Sequence, residues 1–398
     1  MRILVEQLRL LTARGVDADT WLLIEDGIIT GRGTGRPPEL NGVERRSLSG
    51  RTVTPGFIDL HVHGGAGASF DDGPAAIETA LAVHRAHGTT RSLVSLVARP
   101  LDELLLSLTA VADLADRDPR ILGAHLEGPF LSPVRSAAHA QDQLRTPTPV
   151  IVDTLLEAGA GRLVQITLAP ELPGALDAIT RFTDAGVIVA IGHTDADAAT
   201  IHAAFDRGAR LVTHAWNAMP GMSAREPGPM GASLGRIQRQ RHEQPVGRDA
   251  VVLELIADGV HVAPDVVAAT FAAAAGRIAL VSDAMAAAGH RDGRYRLGRV
   301  DVTVTEGVAR ASVSGALAGS TLTLDRAMRM ALASGVPERD VIEALTRTPA
   351  FVLGLGDRLG DLTIGNAADF LVVDDAWRID EVWSDGTRLV DSTARGTP

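Results

Sequence analysis

The run Thr52-Val53-Thr54-Pro55-Gly56-Phe57-Ile58-Asp59-Leu60-His61-Val62-His63-Gly64-Gly65 closes on two histidines one residue apart. In an extended strand alternate side chains share a face, so His61 and His63 point the same way while Val62 turns into the packing. Two imidazoles on one face are a ready pair of metal ligands, and the glycine turn behind them lets backbone approach closely. Taken alone, the pattern fits two hydrogen-bonded histidines at a strand end equally well. Further donors close later apolar runs: His125-Leu126-Glu127-Gly128, Gly192-His193-Thr194-Asp195, Thr213-His214, Asp258-Gly259-Val260-His261 and Ser282-Asp283-Ala284. His61, His63, His193 and His214 with Glu127 and Asp283 supply nitrogen and oxygen donors suited to zinc or another divalent first-row ion. Their recurrence at five strand ends is what outweighs the hydrogen-bonded reading of each one.

Such residues can meet only if the strands that carry them share one end. Short β-branched or leucine-rich runs are expected as strands near Val53–Leu60, Arg91–Val97, Ile121–Leu126, Leu163–Leu168, Val187–Ile191, Arg210–Thr213, Val251–Ile256 and Ile278–Val281. Helical or crossover segments follow them, as at Ala75–His87, Leu101–Ala115, Gly174–Ala185 and Ala196–Arg207. Eight βα units in about 300 residues predict an α/β fold with a (β/α)8 TIM-like barrel, whose chemistry lies at the carboxyl ends of the strands. The rival, a doubly wound sheet, lacks its glycine fingerprint after an early strand. Residues 1–53 and 355–398 both read as short strands and turns, so a small β-sandwich domain built by the two termini is expected around a barrel over 54–354.

Composition bounds the function. The chain has 398 residues, 45% of them hydrophobic, enough for a large core. A net charge of -11 offers no basic field for nucleic acid or an anionic membrane, so an anionic substrate needs a local arginine cluster. Neither a membrane-spanning run nor a leader pattern is read, and a cytoplasmic location is expected. There is no cysteine, and all 38 basic residues are arginine. Thiolate and lysine Schiff-base catalysis are thereby excluded, as is a metal pair bridged by a carboxylated lysine.

The motifs Pro55-Gly56-Phe57-Ile58-Asp59-Leu60-His61-Val62-His63-Gly64, His125-Leu126-Glu127-Gly128-Pro129-Phe130, Gly192-His193-Thr194, Thr213-His214-x-x-Asn217-Ala218-Met219, Arg225-Glu226-Pro227-Gly228, Asp258-Gly259-x-His261 and Ser282-Asp283-Ala284 come in an order that resembles the N-acetylglucosamine-6-phosphate deacetylases of the amidohydrolase superfamily. The resemblance covers nearly the whole chain. It implies hydrolysis of the acetamide of N-acetyl-D-glucosamine 6-phosphate, with a deacetylase for another N-acetylated sugar phosphate, such as the galactosamine epimer, as the runner-up. A non-catalytic amidohydrolase-like binding protein is the rival from another class, and such proteins usually lose metal ligands.

By the same resemblance Glu127, His193 and His214 hold a principal divalent ion, zinc or iron. His61 and His63 build a second position that Glu127 can bridge, giving one or two ions per subunit. Asp283 is the candidate general base and acid for a metal-activated water. His139, beside Ala138, steadies the carbonyl oxygen; the family's usual Lys-Gly pair is here Ser136 and Ala137. Arg225, the backbone amides of Asn217 and Ala218, and His261 are expected at the phosphate, some of them from the second subunit of a homodimer. Leu317, Ala318 and Gly319, expected at a helix start, border the sugar. His125 and Asp59 are read as supports, Asp71-Asp72 as a loop pair, and His84, His87, His202, His242 and His290 as solvated.

Overall fold

The computed structural model describes residues 2–243 and 250–391. Eight parallel strands pair in chain order: Phe57–Asp59, Thr89–Val97, Ile121–Glu127, Leu163–Leu168, Ile188–Ile191, Leu211–Val212, Val252–Leu255 and Ile278–Leu280. Strands covered on both faces read as unbroken apolar runs, and all nine residues of Thr89–Val97 are buried. The ring closes just beyond the last strand. Val62 bridges Ala284 in parallel, Asp283 N donates to His61 O at 2.8 Å, and His63 N donates to Ala284 O at 2.8 Å. The Asp59 carboxylate ties the same seam, accepting from His61 N at 3.2 Å and Ser282 N at 3.3 Å. Helices Pro74–Ala86, Leu101–Arg117, Ala175–Asp184 and Ala198–Asp206 lie where the sequence places them.

The expected first strand is two elements. Thr52–Pro55 pairs with Phe370–Val373 in the terminal sheet, and only Phe57–Asp59 enters the barrel. Gly56 is the joint, since a Cβ there would lie 2.4 Å from Thr90 Oγ1. The two termini meet as expected, as eight strands in one mixed sheet. Its alternation divides two cores: Phe370 and Val372 join Ile3, Val5, Leu22 and Trp383, while Leu371 and Val373 pack into the barrel cluster. Arg91, buried at the base of barrel strand two, pairs with Asp369 and Asp385 of the terminal unit, each at 2.6 Å.

One element is absent from the sequence reading. After barrel strand eight an antiparallel sheet, Gly293–Leu297, Val300–Thr305 and Val308–Ala311, folds over the carboxyl end of the barrel around Val302, Val304 and Ala309. It displaces the next helix to Leu324–Ala333, so Leu317, Ala318 and Gly319 lie in the loop before that helix instead of at its start.

Candidate metal centre and active-site cavity

The strand ends deliver the expected donors to one place. His61 and His63 follow barrel strand one and Glu127 ends strand three, while His193, His214 and Asp283 lie two or three residues past strands five, six and eight. The last three turn through left-handed backbone, with φ of 47°, 28° and 46°. Non-glycine residues in that region cost of order 1–3 kcal/mol each, and at strand ends the turn re-aims side chains over the barrel mouth. Gly192 permits the approach at His193, because a Cβ there would sit 2.7 Å from Thr213 Cβ.

Glu127 lies between two nitrogen sets. Its Oε1 is 3.1 Å from His193 Nε2 and 3.1 Å from His214 Nε2, and its Oε2 is 3.3 Å from His63 Nε2. His193 Nε2 and His214 Nε2 are 3.0 Å apart, as are His61 Nε2 and His63 Nε2. Asp283 Oδ1 faces the strand-one pair, 3.5 Å from His61 and 3.3 Å from His63. All six residues are buried. Ligands about 2.0–2.1 Å from a tetrahedral zinc stand about 3.3 Å from one another, which is the spacing here.

The hydrogen bonds behind these rings test the fit independently. His193 Nδ1 donates to Arg135 O at 2.8 Å and His61 Nδ1 to Glu254 Oε2 at 3.1 Å. When such a ring is neutral its Nε2 carries only a lone pair, and it faces Glu127 oxygens that are themselves acceptors. A cation between them resolves that opposition. Protons compete for the same lone pairs. Burial disfavours the charged ring of His63, yet Asp283 and Glu127 raise it to about 9. Burial likewise opposes ionisation of Asp283, but His61 and His63 hold it at about 2. The residues fit a divalent ion on either side of Glu127.

His125 belongs to the supports. Its Nδ1 is 2.9 Å from Ser95 Oγ and its Nε2 2.8 Å from Thr167 Oγ1, which leaves no lone pair for an ion. Glu254 was not anticipated. It is fully buried in barrel strand seven, where one glutamate inside Val251-Val252-Leu253-Glu254-Leu255-Ile256 is the signal that could have found it.

Above the donors lies a cavity of about 220 Å³ lined by Glu127, Ala138, His139, His193, His214, Asn217, Ala218, His261, Asp283, Leu317 and Gly319, with Ala137, Leu297 and Ala316. His139 Nε2 is 3.3 Å from Glu127 Oε2, and burial lowers its pKa so that the ring is a neutral donor. His261 Nδ1 is 2.7 Å from Asp258 Oδ2; burial opposes its charge, but that bond raises its pKa above the ordinary value. The Asn217 amide already donates to His214 O at 3.0 Å, leaving the Ala218 amide as the main-chain donor of that pair. Two expected neighbours are elsewhere. Ala318 is buried in the core of the inserted sheet, and Arg225 is exposed on the Ser223–Glu226 turn outside the cavity lining. Leu297 reaches the cavity from that same inserted sheet, which carries no pattern tied to the strand ends. A larger cavity of about 770 Å³ lies apart from these donors, with Asp71, Arg99, Glu103 and Arg299 in its lining, and there Glu103 pairs with Arg99 at 3.0 Å and Arg299 at 2.7 Å.

Of the histidines expected in solvent, His84 is fully buried and its Nε2 donates to Gly64 O at 2.8 Å, bracing the loop behind His63. It lies on the inward stripe of its helix with Ile77, Ala80 and Leu81, and burial drives its pKa down to about 4. His87 pairs with Asp325 at 3.1 Å and His290 is exposed; the side chain of His242 lies outside the described residues.

Known proteins carry the same arrangement of the whole chain. The Amidohydrolase family model matches residues 52–389. The chain is 36% identical to an N-acetylgalactosamine-6-phosphate deacetylase of Escherichia coli O157:H7, over 95% of this chain and 97% of that one. It is 32% identical to an N-acetylglucosamine-6-phosphate deacetylase of Bacillus subtilis (strain 168), over 93% of each. The crystal structure of N-acetyl-D-glucosamine-6-phosphate deacetylase from Mycobacterium smegmatis superposes with a TM-score of 0.89 at 36% identity, covering 98% of this chain and 100% of that one. A mutant of that enzyme in complex with N-acetyl-D-glucosamine-6-phosphate gives 0.90 over 98% and 99%. A matched family model spanning most of the chain, and relatives this similar over nearly their full length, place it: the chain belongs to the amidohydrolase family.

Proposed function

We propose that this protein hydrolyses the acetamide of N-acetyl-D-glucosamine 6-phosphate, releasing acetate and D-glucosamine 6-phosphate. The observation that carries the reading is the meeting, in one cavity, of a nitrogen and carboxylate cluster with the buried carboxyl of Asp283. Glu127, His193 and His214 hold the principal ion, and His61 and His63 with Glu127 hold a second. A sulfur-free set of imidazoles and carboxylate suits zinc or iron(II). A divalent ion there supplies Lewis acidity, which polarises the amide carbonyl and acidifies water. Asp283 takes the proton from the attacking water and returns it to the departing amine. His139 donates to the carbonyl oxygen as charge develops on it. Ala138, Leu317 and Gly319 shape the sugar pocket. His261 and the Ala218 amide bind the phosphate, with Arg225 joining them from the second subunit of a homodimer.

Acetate release should collapse when the 6-phosphate is missing; equal turnover of plain N-acetylglucosamine would sink the phosphate assignment. A second reading, the galactosamine epimer as substrate, is favoured by the E. coli relative. Comparing kcat/KM for the two 6-phosphates decides between them.

A further inference from the structure

Beneath the donors lies a buried carboxyl group that the chemistry above does not use. Glu254 has no exposed surface and points into the barrel from strand seven. Its Oε2 accepts from the His61 ring at 3.1 Å and from the His214 backbone amide at 3.4 Å, and its Oε1 accepts from Gln165 Nε2 at 2.8 Å. Its carboxylate thus touches one residue from each side of Glu127. Among the described residues no arginine pairs with it; His61 is its one ionisable partner within 4.0 Å. All three neighbours donate to this carboxyl, so the His61 ring is held with Nδ1–H inward and its Nε2 lone pair on the far side.

We infer that Glu254 is a positioning residue for the His61–His63 position: it fixes His61 with Nδ1–H donating inward and Nε2 presented outward, where a second divalent ion would take it. Gln165 keeps the carboxylate from rotating away. The inference rests on the metal-dependent reading above and extends it to the retention of two ions. Outer-shell partners of this kind typically change metal affinity about 10- to 100-fold when removed.

The test is equilibrium dialysis of the full chain against Co2+, reading ions per chain by mass spectrometry and the Co2+ visible spectrum. The wild type should bind two ions. Glu254→Gln keeps one acceptor oxygen but replaces the other with an N–H that cannot serve these donors, and should weaken the second ion about 10- to 100-fold while leaving the first unchanged. Glu254→Leu removes both and should stop at one ion, as should His61→Gln with His63→Gln. Gln165→Met, which leaves every proposed ligand in place, should weaken the second ion less than Glu254→Gln. Should Glu254→Leu not fold, the isosteric Glu254→Gln decides alone, with circular dichroism of the metal-free forms as the check on fold. Two ions bound by Glu254→Gln with wild-type affinity would overturn the inference, and so would a wild-type chain that never exceeds one ion. Failure of the hydrolase reading shows separately, as a metal-loaded wild type that releases no acetate.

Discussion

Asp283 couples two demands that usually conflict, a carboxylate that is buried and yet ionised. Burial favours its neutral form, and positive charge beside it, carried by the His61 and His63 rings when no ion is bound, reverses that preference. A base held in this way remains a carboxylate across the neutral range. Asp283→Asn should therefore retain metal content and fold while acetate release falls by about 10²- to 10⁴-fold, the usual worth of a positioned general base. Parallel metal analysis and initial rates check it, and substantial retained turnover would remove Asp283 from the proton transfer. The residues of this cluster were legible in the sequence because donors recur where apolar runs stop. What lay behind them was less so: the hydroxyls of Ser95 and Thr167 and the carboxylate of Glu254 reach the rings across 30 to 193 residues of chain. Only the misfit of a lone glutamate in an apolar strand marks any of these.

At the scale of elements, the eight strands follow from runs of residues buried on both faces, and their limits differ from the expected ones by a residue or two except at Gly56. There the apolar pattern is continuous, and only the packing against Thr90 divides it between two sheets. His84 shows why burial of a helix face escapes a reading of its polarity. The helix Pro74–Ala86 packs on the Gly64–Gly65 segment and on barrel strand two, and the Gly64 carbonyl gives the ring a partner inside the core. An unfolded chain protonates this histidine near pH 6.5, the folded chain only near 4. Between those values the unfolded state binds more protons, so stability falls as pH drops, by up to about 3 kcal/mol from this group. His84→Gln keeps a donor for Gly64 O and cannot titrate. Its urea midpoint should be flatter than that of the wild type from pH 6.5 to 4, and parallel curves would show that His84 does not drive the acid sensitivity.

At the scale of the whole molecule, a chain of net charge -11 is proposed to bind a phosphate, yet no arginine lines its own cavity and His261 is the one side chain there proposed to meet the phosphate. Arg225, expected beside it, stands exposed on a turn outside that lining. The proposed two-fold dimer would reconcile these facts, because in a symmetric pair a turn that reaches the other chain's cavity does so in both directions. Arg225→Ala should then raise KM for the 6-phosphate about 10- to 100-fold and leave the poor turnover of the unphosphorylated sugar unchanged, as loss of a charged hydrogen bond of about 1.5–3 kcal/mol would. Mixing separates a donor in its own chain from one lent to the partner. In a mixed dimer of Arg225→Ala and Asp283→Asn chains, one site carries both defects and the other carries neither. Random exchange of subunits should restore about a quarter of wild-type activity at low substrate. Exchanged dimers that show only the average of the two parents would place Arg225 at its own chain's cavity, and a monomer by light scattering at assay concentration would remove the shared site altogether.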